Sequence, residues 1–167
     1  MDNIVLIGMP GCGKTSVGQL LAAELGFSFV DTDELVEREE NRTIPAIFSA
    51  EGEGYFRDLE TRAAKCASGL KGAVIATGGG MVLRPENMEA LGETGTVIFI
   101  DRAPEDIAGE THSGRPLIGN DRERVFSLYH ARIDLYRRYA GHIVGNCVSP
   151  RQCMRDILQL LDKERTV

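Results

Sequence analysis

The most specific chemical signal in this sequence is a glycine-rich segment suited to holding phosphate groups. Residues 8–15 read GMPGCGKT, a full match to the pattern G-x-x-x-x-G-K-[ST]. Backbone N–H groups of such a loop point at anionic oxygens, and the positive end of the following helix faces the same anion. Lys14 can then reach the β- and γ-phosphates, and Thr15 can ligate Mg²⁺. The segment predicts a nucleoside triphosphate site formed by Gly11, Cys12, Gly13, Lys14, Thr15 and Ser16.

Acidic residues at the ends of two predicted strands are candidates for the metal ligand and the general base. Asp31 and Asp33 lie two apart, so in an extended strand they point to the same side. One could hold Mg²⁺ while the other accepts a hydroxyl proton. Asp101 ends an apolar run in the form of a Walker B motif, which on pattern alone favours it as the metal ligand, although Arg102 beside it suggests a structural pair. For Asp33, a helix N-cap is the alternative interpretation.

A glycine triplet and two arginines are candidates for binding the second substrate. Gly78, Gly79 and Gly80 follow the third predicted strand, where they leave backbone N–H groups exposed. Arg57 and Arg132 lie on predicted amphipathic helices, beside apolar positions. A lone arginine on a helix is ordinarily solvated. If both face the cleft, a bidentate clamp on a carboxylate is their natural use.

The elements that must position these residues alternate regularly along the chain. Apolar runs predict strands over residues 4–7, 28–30, 73–76, 96–100 and 142–144. Helical patterns cover residues 14–25, 53–70 and 121–139, and a last helix begins near Ser149. We therefore predict an α/β three-layer sandwich, with a five-stranded parallel sheet covered by helices on both faces.

Two segments depart from this alternation within what we predict to be a single domain, residues 1–167. Residues 31–60 are too long and too helical for a simple crossover, so we expect a substrate-binding helical subdomain there. Residues 109–121 are polar and glycine-rich without periodicity, which is typical of a lid. Arg115 favours a lid over an ordinary surface loop, because a cation on a mobile loop can close over phosphates.

The composition argues against several classes of partner. A formal net charge of −6 is unsuited to nucleic acid, because a phosphate backbone needs a basic face. No apolar run has the length of a membrane span and no signal sequence is recognisable, so we expect a cytoplasmic protein without a membrane partner. The four cysteines show no metal-ligand spacing with the three histidines. Nothing marks an obligate partner surface, so we expect a monomer.

Taken together, the motifs resemble the shikimate kinase family. The resemblance rests on GMPGCGKTS, the Asp31–Asp33 pair, the block NRTIPAIFSAEGEGYFRDLE, TGGG, RPL at 115–117 and R-x-x-L-Y from Arg132. It runs nearly end to end and implies a P-loop kinase fold. The implied reaction transfers the γ-phosphoryl group of ATP to the 3-hydroxyl of shikimate, with Mg²⁺ as cofactor, in aromatic amino-acid biosynthesis.

The resemblance also implies a role for each candidate residue. Asp33 would bind the shikimate hydroxyls and act as base, and Asp31 would hold Mg²⁺ with Thr15. The remaining implied roles are carboxylate binding by Arg57 and Arg132, backbone donation by Gly79 and Gly80, charge stabilisation by Arg115, and pocket walls from Phe48 and Phe56. The family's arginine before the lid is replaced here by Ile107 to Glu110, so we expect adenine to contact the Pro150–Arg151 region.

Two other functions compete with this interpretation. A kinase of another hydroxy acid such as gluconate would also need arginines that bind a carboxylate. A nucleotide-dependent switch would bind nucleotide without turning over an acceptor, but a GTPase switch normally carries an N-K-x-D motif, which the sequence lacks.

Overall fold

A sheet of five parallel strands forms the centre of the protein. The structure is a computed structural model that describes residues 2–110, 122–145 and 149–165. The strands are β1 (Asn3–Ile7), β2 (Ser28–Asp31), β3 (Ala73–Ala76), β4 (Gly95–Asp101) and β5 (His142–Gly145). They are arranged in the order β2-β3-β1-β4-β5, with all neighbours parallel. The predicted strands are confirmed to within one residue at either end.

Burial follows the position of each strand in the sheet. β1 lies between β3 and β4, with Val5 aligned with Ile75 on one side and Val97 on the other. Every residue of β1 and β3 is buried, whereas the edge strands β2 and β5 are largely half-buried or exposed. The continuous apolar runs of the central strands reflect burial on both faces of a parallel sheet.

Eight helices lie around the sheet in the described part of the chain. They are α1 (Lys14–Leu25), α2 (Thr32–Glu40), α3 (Ile44–Glu51), α4 (Glu53–Ser68), α5 (Pro85–Thr94), α6 (Pro104–Gly109), α7 (Arg122–Tyr139) and α8 (Pro150–Arg165), with a 3-10 turn at Met81–Leu83. The chain steps outward from β1 to β2 through α1, but steps in the opposite direction from β3 to β4 through α5. Because parallel crossovers are right-handed, α1 and α5 cover opposite faces. Contacts of α8 with α1 and of α4 with α5 complete the two layers, which confirms the predicted three-layer sandwich.

The segment after β2 forms helices with a small apolar cluster of their own. Asp31 caps α2 by accepting hydrogen bonds from the backbone N–H groups of Asp33 and Glu34, and the Thr43 side chain caps α3. The cluster is separate from the main core around the sheet and consists of Val36, Ile47, Phe56, Leu59 and Ala63. Helical structure between residues 31 and 60 agrees with the sequence prediction.

One geometric expectation about this segment is wrong. Asp31 and Asp33 do not share one side of an extended strand, because β2 ends at Asp31 and Asp33 lies in the first turn of α2. The N-cap role considered for Asp33 belongs instead to Asp31. Because the Asp31 side chain caps α2, the extended backbone ends at Asp31 and the strand alternation does not reach Asp33.

The lid prediction falls mainly on residues outside the described ranges. Gly109 ends α6 and Glu110 follows it, while the rest of the predicted lid, including Arg115, lies beyond what the structure describes. Among the residues that it does describe, no helix is both long enough and apolar enough to cross a bilayer.

Candidate active site

The phosphate-binding loop joins β1 to α1 in a conformation that depends on glycine. Gly11 has φ 80° and Gly13 has φ 101°, in a region that side chains with a β-carbon rarely adopt. Gly13 is also the N-cap of α1 and gives it no side-chain cap. The N–H groups of the first helical turn therefore lack the usual side-chain acceptor and face the loop, an arrangement that suits an anion.

Lys14 lies inside this loop with only 7% of its surface exposed. Its Nζ donates hydrogen bonds of 2.8 Å to the carbonyl oxygens of Gly8 and Met9. It also lies 3.6 Å from the Sγ of Cys12, which is fully buried. Backbone carbonyls thus hold the ammonium group at the anion site, where it can contribute charge to a bound phosphate.

The structure distinguishes between the two candidate metal ligands. The Thr15 hydroxyl donates to Asp31 Oδ2 at 3.2 Å, so these side chains meet beside the phosphate-binding loop. Asp101 instead accepts a 3.1 Å hydrogen bond from the Tyr129 hydroxyl. A hydroxyl and a carboxylate are the oxygen donors that Mg²⁺ prefers, usually together with substrate phosphates and water. The geometry therefore favours Thr15 and Asp31 over Asp101.

Asp33 has the electrostatic properties of a general base. Burial raises the pKa of its carboxyl from 3.8 to about 6, with further increases from the negative charges of Asp31 and Glu60, while Lys14 opposes the shift. A carboxylate that titrates near 6 is ionised at neutral pH and is still basic enough to take a proton. Perturbation of this kind is common at functional sites.

The glycine triplet lies where the other candidates converge. A β-carbon on Gly78 would lie 2.6 Å from Asp33 Oδ1 and 3.0 Å from Glu60 Oε2. The same atom on Gly80 would overlap the guanidinium group of Arg57. Asp33, Glu60 and Arg57 therefore surround a loop that has room only for backbone.

Glu60 is a site residue that the sequence analysis missed. Its side chain is 2% exposed and forms a 2.8 Å ion pair with Arg57, whose other terminal nitrogen lies 3.3 Å from Glu53. Burial raises the pKa of Glu60, and the neighbouring Arg57, Arg132 and Arg84 counteract that increase. The sequence did contain a signal, because Glu60 lies three residues after Arg57 and four after the buried Phe56.

The two arginines of the predicted carboxylate clamp lie near the same glutamate. Arg57 contacts Glu60 directly, and the charge of Arg132 acts on the same carboxylate from α7. Phe56 is buried and its ring centroid lies 4.7 Å from that of Phe48, which is 37% exposed. The two rings therefore form one apolar surface beside Arg57, and their role as a pocket wall stays a prediction.

A cavity of about 550 Å³ lies at the other end of the phosphate-binding loop. It is lined by Ser16, Gln19, Leu20, Ser149, Pro150 and Arg151. The Pro150–Arg151 region predicted to contact adenine therefore borders an open space beside α1.

Arg102, interpreted from sequence as a structural partner of Asp101, reaches the phosphate-binding loop. It donates a hydrogen bond to the Gly11 carbonyl at 3.4 Å and forms an ion pair with Glu110.

Comparison with known proteins decides the family. The family model for shikimate kinase matches residues 10–162. The chain belongs to the shikimate kinase family. A shikimate kinase from Thermodesulfovibrio yellowstonii is 44% identical over 164 residues, which cover 95% of this chain and 94% of that protein. The structure of shikimate kinase from Acinetobacter baumannii in complex with shikimate superposes with a TM-score of 0.92, at 36% identity, covering 98% of this chain and 94% of that one.

Family membership confirms three predictions from sequence. The fold is that of a P-loop kinase, the protein is an ATP-dependent phosphotransferase, and its pathway is aromatic amino-acid biosynthesis. A gluconokinase from Sinorhizobium meliloti has a TM-score of 0.59 at 18% identity, with 97% of this chain and 92% of that one covered. That likeness concerns the fold alone.

Proposed function

We propose that this protein transfers the γ-phosphoryl group of ATP to the 3-hydroxyl of shikimate, giving shikimate 3-phosphate and ADP. The observation that carries this assignment is the position of Asp33. Its carboxylate, with a pKa raised to about 6, borders Gly78 between the phosphate-binding loop and the Arg57–Glu60 pair. Donor, base and acid-binding groups are thus adjacent, as a direct phosphoryl transfer requires.

On the donor side, the loop amides and Lys14 bind the phosphates. Thr15 and Asp31 hold Mg²⁺, which neutralises phosphate charge when bound. Their suitability for Mg²⁺ rests on the Thr15 Oγ1 and Asp31 Oδ2 atoms, which lie 3.2 Å apart at the N-terminus of α1. Adenine occupies the cavity beside Pro150 and Arg151.

On the acceptor side, Arg57 and Arg132 bind the shikimate carboxylate. Glu60 keeps Arg57 in place through its ion pair, and the guanidinium groups of Arg57 and Arg132 are donors suited to a carboxylate. Phe48 and Phe56 pack against the ring, and the N–H groups of Gly79 and Gly80 donate to its polar substituents.

The chemistry then needs one proton acceptor. Asp33 accepts the proton of the 3-hydroxyl while the acceptor oxygen bonds to the γ-phosphorus. The bond from that phosphorus to the bridging oxygen of ADP breaks, and ADP leaves with the bonding electrons. Lys14 stabilises the charge that develops on the transferred group, and Arg115 does so from the lid.

Several wider properties belong to the same proposal. The chain acts as one domain in which residues 31–60 form the acceptor-binding helical subdomain and residues 109–121 form the lid. It works as a cytoplasmic monomer and binds neither nucleic acid nor membranes. The negative net charge supports the absence of nucleic-acid binding, and the separate apolar cluster supports the helical subdomain.

Acceptor-dependent release of ADP tests the function. Shikimate should stimulate turnover strongly, whereas gluconate and a nucleoside monophosphate should not. Asp33→Asn should retain ATP binding, measured by calorimetry, but lose most of kcat, because the base is absent. Arg132→Ala should mainly raise KM for shikimate, by roughly ten- to a hundredfold for one charge-assisted contact. Turnover with gluconate but not with shikimate would refute the assignment.

A further inference from the structure

The hydroxyl group of Tyr136 makes a partly buried hydrogen bond to the glycine triplet. Tyr136 lies on α7, is fully buried, and donates to the carbonyl oxygen of Gly79 at 2.6 Å. Its ring stacks on Phe99, with centroids 5.1 Å apart and an interplanar angle of 22°. Burial raises the pKa of Tyr136, so the phenol keeps the proton that it donates.

That hydrogen bond fixes the orientation of a particular peptide group. The carbonyl of Gly79 and the N–H of Gly80 belong to the same planar unit, and in a trans peptide they point in opposite directions. With the carbonyl bonded to Tyr136, the Gly80 N–H points away from α7. Neither glycine has a side chain that could resist rotation of this unit, so the hydrogen bond from Tyr136 restrains its orientation.

The same hydroxyl also lies beside one of the arginines of the carboxylate clamp. Arg132 is four residues before Tyr136 on α7, so the two side chains occupy the same helix face. The positive charge of Arg132 opposes the rise in the pKa of Tyr136, so the guanidinium group lies near the phenol. The phenolic oxygen thus contacts the Gly79 carbonyl directly and has Arg132 nearby.

We propose that Tyr136 is a positioning residue for the acceptor. Through its hydroxyl it orients the Gly80 N–H, a group that the proposed function assigns to shikimate binding, so this inference rests on that function. Tyr136 does not itself touch the reacting atoms. Its contribution is to pre-organise acceptor contacts, which lowers the entropy cost of binding.

The test is Tyr136→Phe, which keeps the ring stacked on Phe99 and removes only the hydroxyl. KM for shikimate should rise about three- to tenfold, as expected for one net hydrogen bond, while KM for ATP and kcat should change less than twofold. A purely structural role would alter both KM values together or neither. The matched control is Tyr139→Phe. Tyr139 is half-buried and lies three residues further along α7, and its substitution should leave all three constants unchanged.

A double variant tests whether the hydroxyl acts through the glycine triplet. In the Arg132→Ala background, Tyr136→Phe should still raise KM for shikimate, because the contact with the Gly79 carbonyl does not require Arg132. An unchanged KM for shikimate in Tyr136→Phe, or loss of cooperative thermal unfolding in that variant, would overturn the inference. A wild-type protein that does not turn over shikimate would instead refute the proposed function.

Discussion

Removing the charge of Asp33 should stabilise the ligand-free protein while it removes most of the turnover. The ordinary pKa of an aspartic acid, 3.8, is raised to about 6 in the folded protein, so the folded state binds this proton more tightly than the unfolded chain. Below pH 3.8 both states are protonated and the group costs nothing. As the pH rises through the window from 3.8 to about 6, the unfolded chain ionises first and the wild type loses stability.

The size of this effect follows from the shift. An increase from 3.8 to about 6 corresponds to about 3 kcal/mol above the window, at about 1.4 kcal/mol per pH unit. About half of that penalty, roughly 1.5 kcal/mol, develops between pH 5 and pH 8. Asp33 is only half-buried by its accessible surface, and screening by water makes these values upper limits.

Urea denaturation at pH 5 and pH 8 measures the effect. Asp33→Asn should have a higher free energy of unfolding than the wild type, and this gain in stability should be larger at pH 8 than at pH 5 by up to roughly 1.5 kcal/mol. Asp134→Asn, an exposed substitution on α7, serves as the control and should change stability by less than about 0.5 kcal/mol at both pH values. A stability difference for Asp33→Asn that does not vary with pH would contradict the assigned environment of this carboxylate.

Two further substitutions test the donor site and the glycine triplet. Thr15→Ala removes the hydroxyl that meets Asp31, so the Mg²⁺ concentration for half-maximal activity should rise by roughly tenfold or more; an unchanged Mg²⁺ titration would count against the metal site. Gly79→Ala places a β-carbon 2.5 Å from Pro10 Cδ and should lower the free energy of unfolding by about 1–3 kcal/mol. Gly92→Ala on α5, where a β-carbon would meet nothing within 4 Å, should instead stabilise the protein by about 0.5–1 kcal/mol, and both are measured by urea denaturation.

Most of the fold is predictable because it depends on local pattern. The central strands are buried on both faces, so their apolar runs stand out between helical segments. The phosphate-binding loop is equally local, since eight consecutive residues and their flanks determine it. By contrast, α6 has six residues and α5 begins with a short polar stretch, so neither produces a clear helical period.

The parts of the site that escaped prediction depend on contacts between distant segments. The hydrogen bond from Tyr136 to Gly79 joins residues 57 positions apart, and no periodicity encodes such a pairing. The position of Asp33 in α2 is hard to predict because Asp31, two residues earlier, is both the last residue of β2 and the N-cap of α2. Glu60 has the sequence pattern of a surface glutamate, but the packing of α4 buries its side chain.

The contact between Pro10 and Gly79 has a consequence for inhibitor design. Gly79 approaches the Pro10 ring so closely that a single added carbon would overlap it. Pro10 belongs to the phosphate-binding loop, and Gly79 to the triplet proposed to bind the acid. The two segments are therefore in direct contact. A bisubstrate compound that joins a phosphate mimic to a cyclic carboxylate needs only a short tether, because no intervening layer of protein has to be spanned.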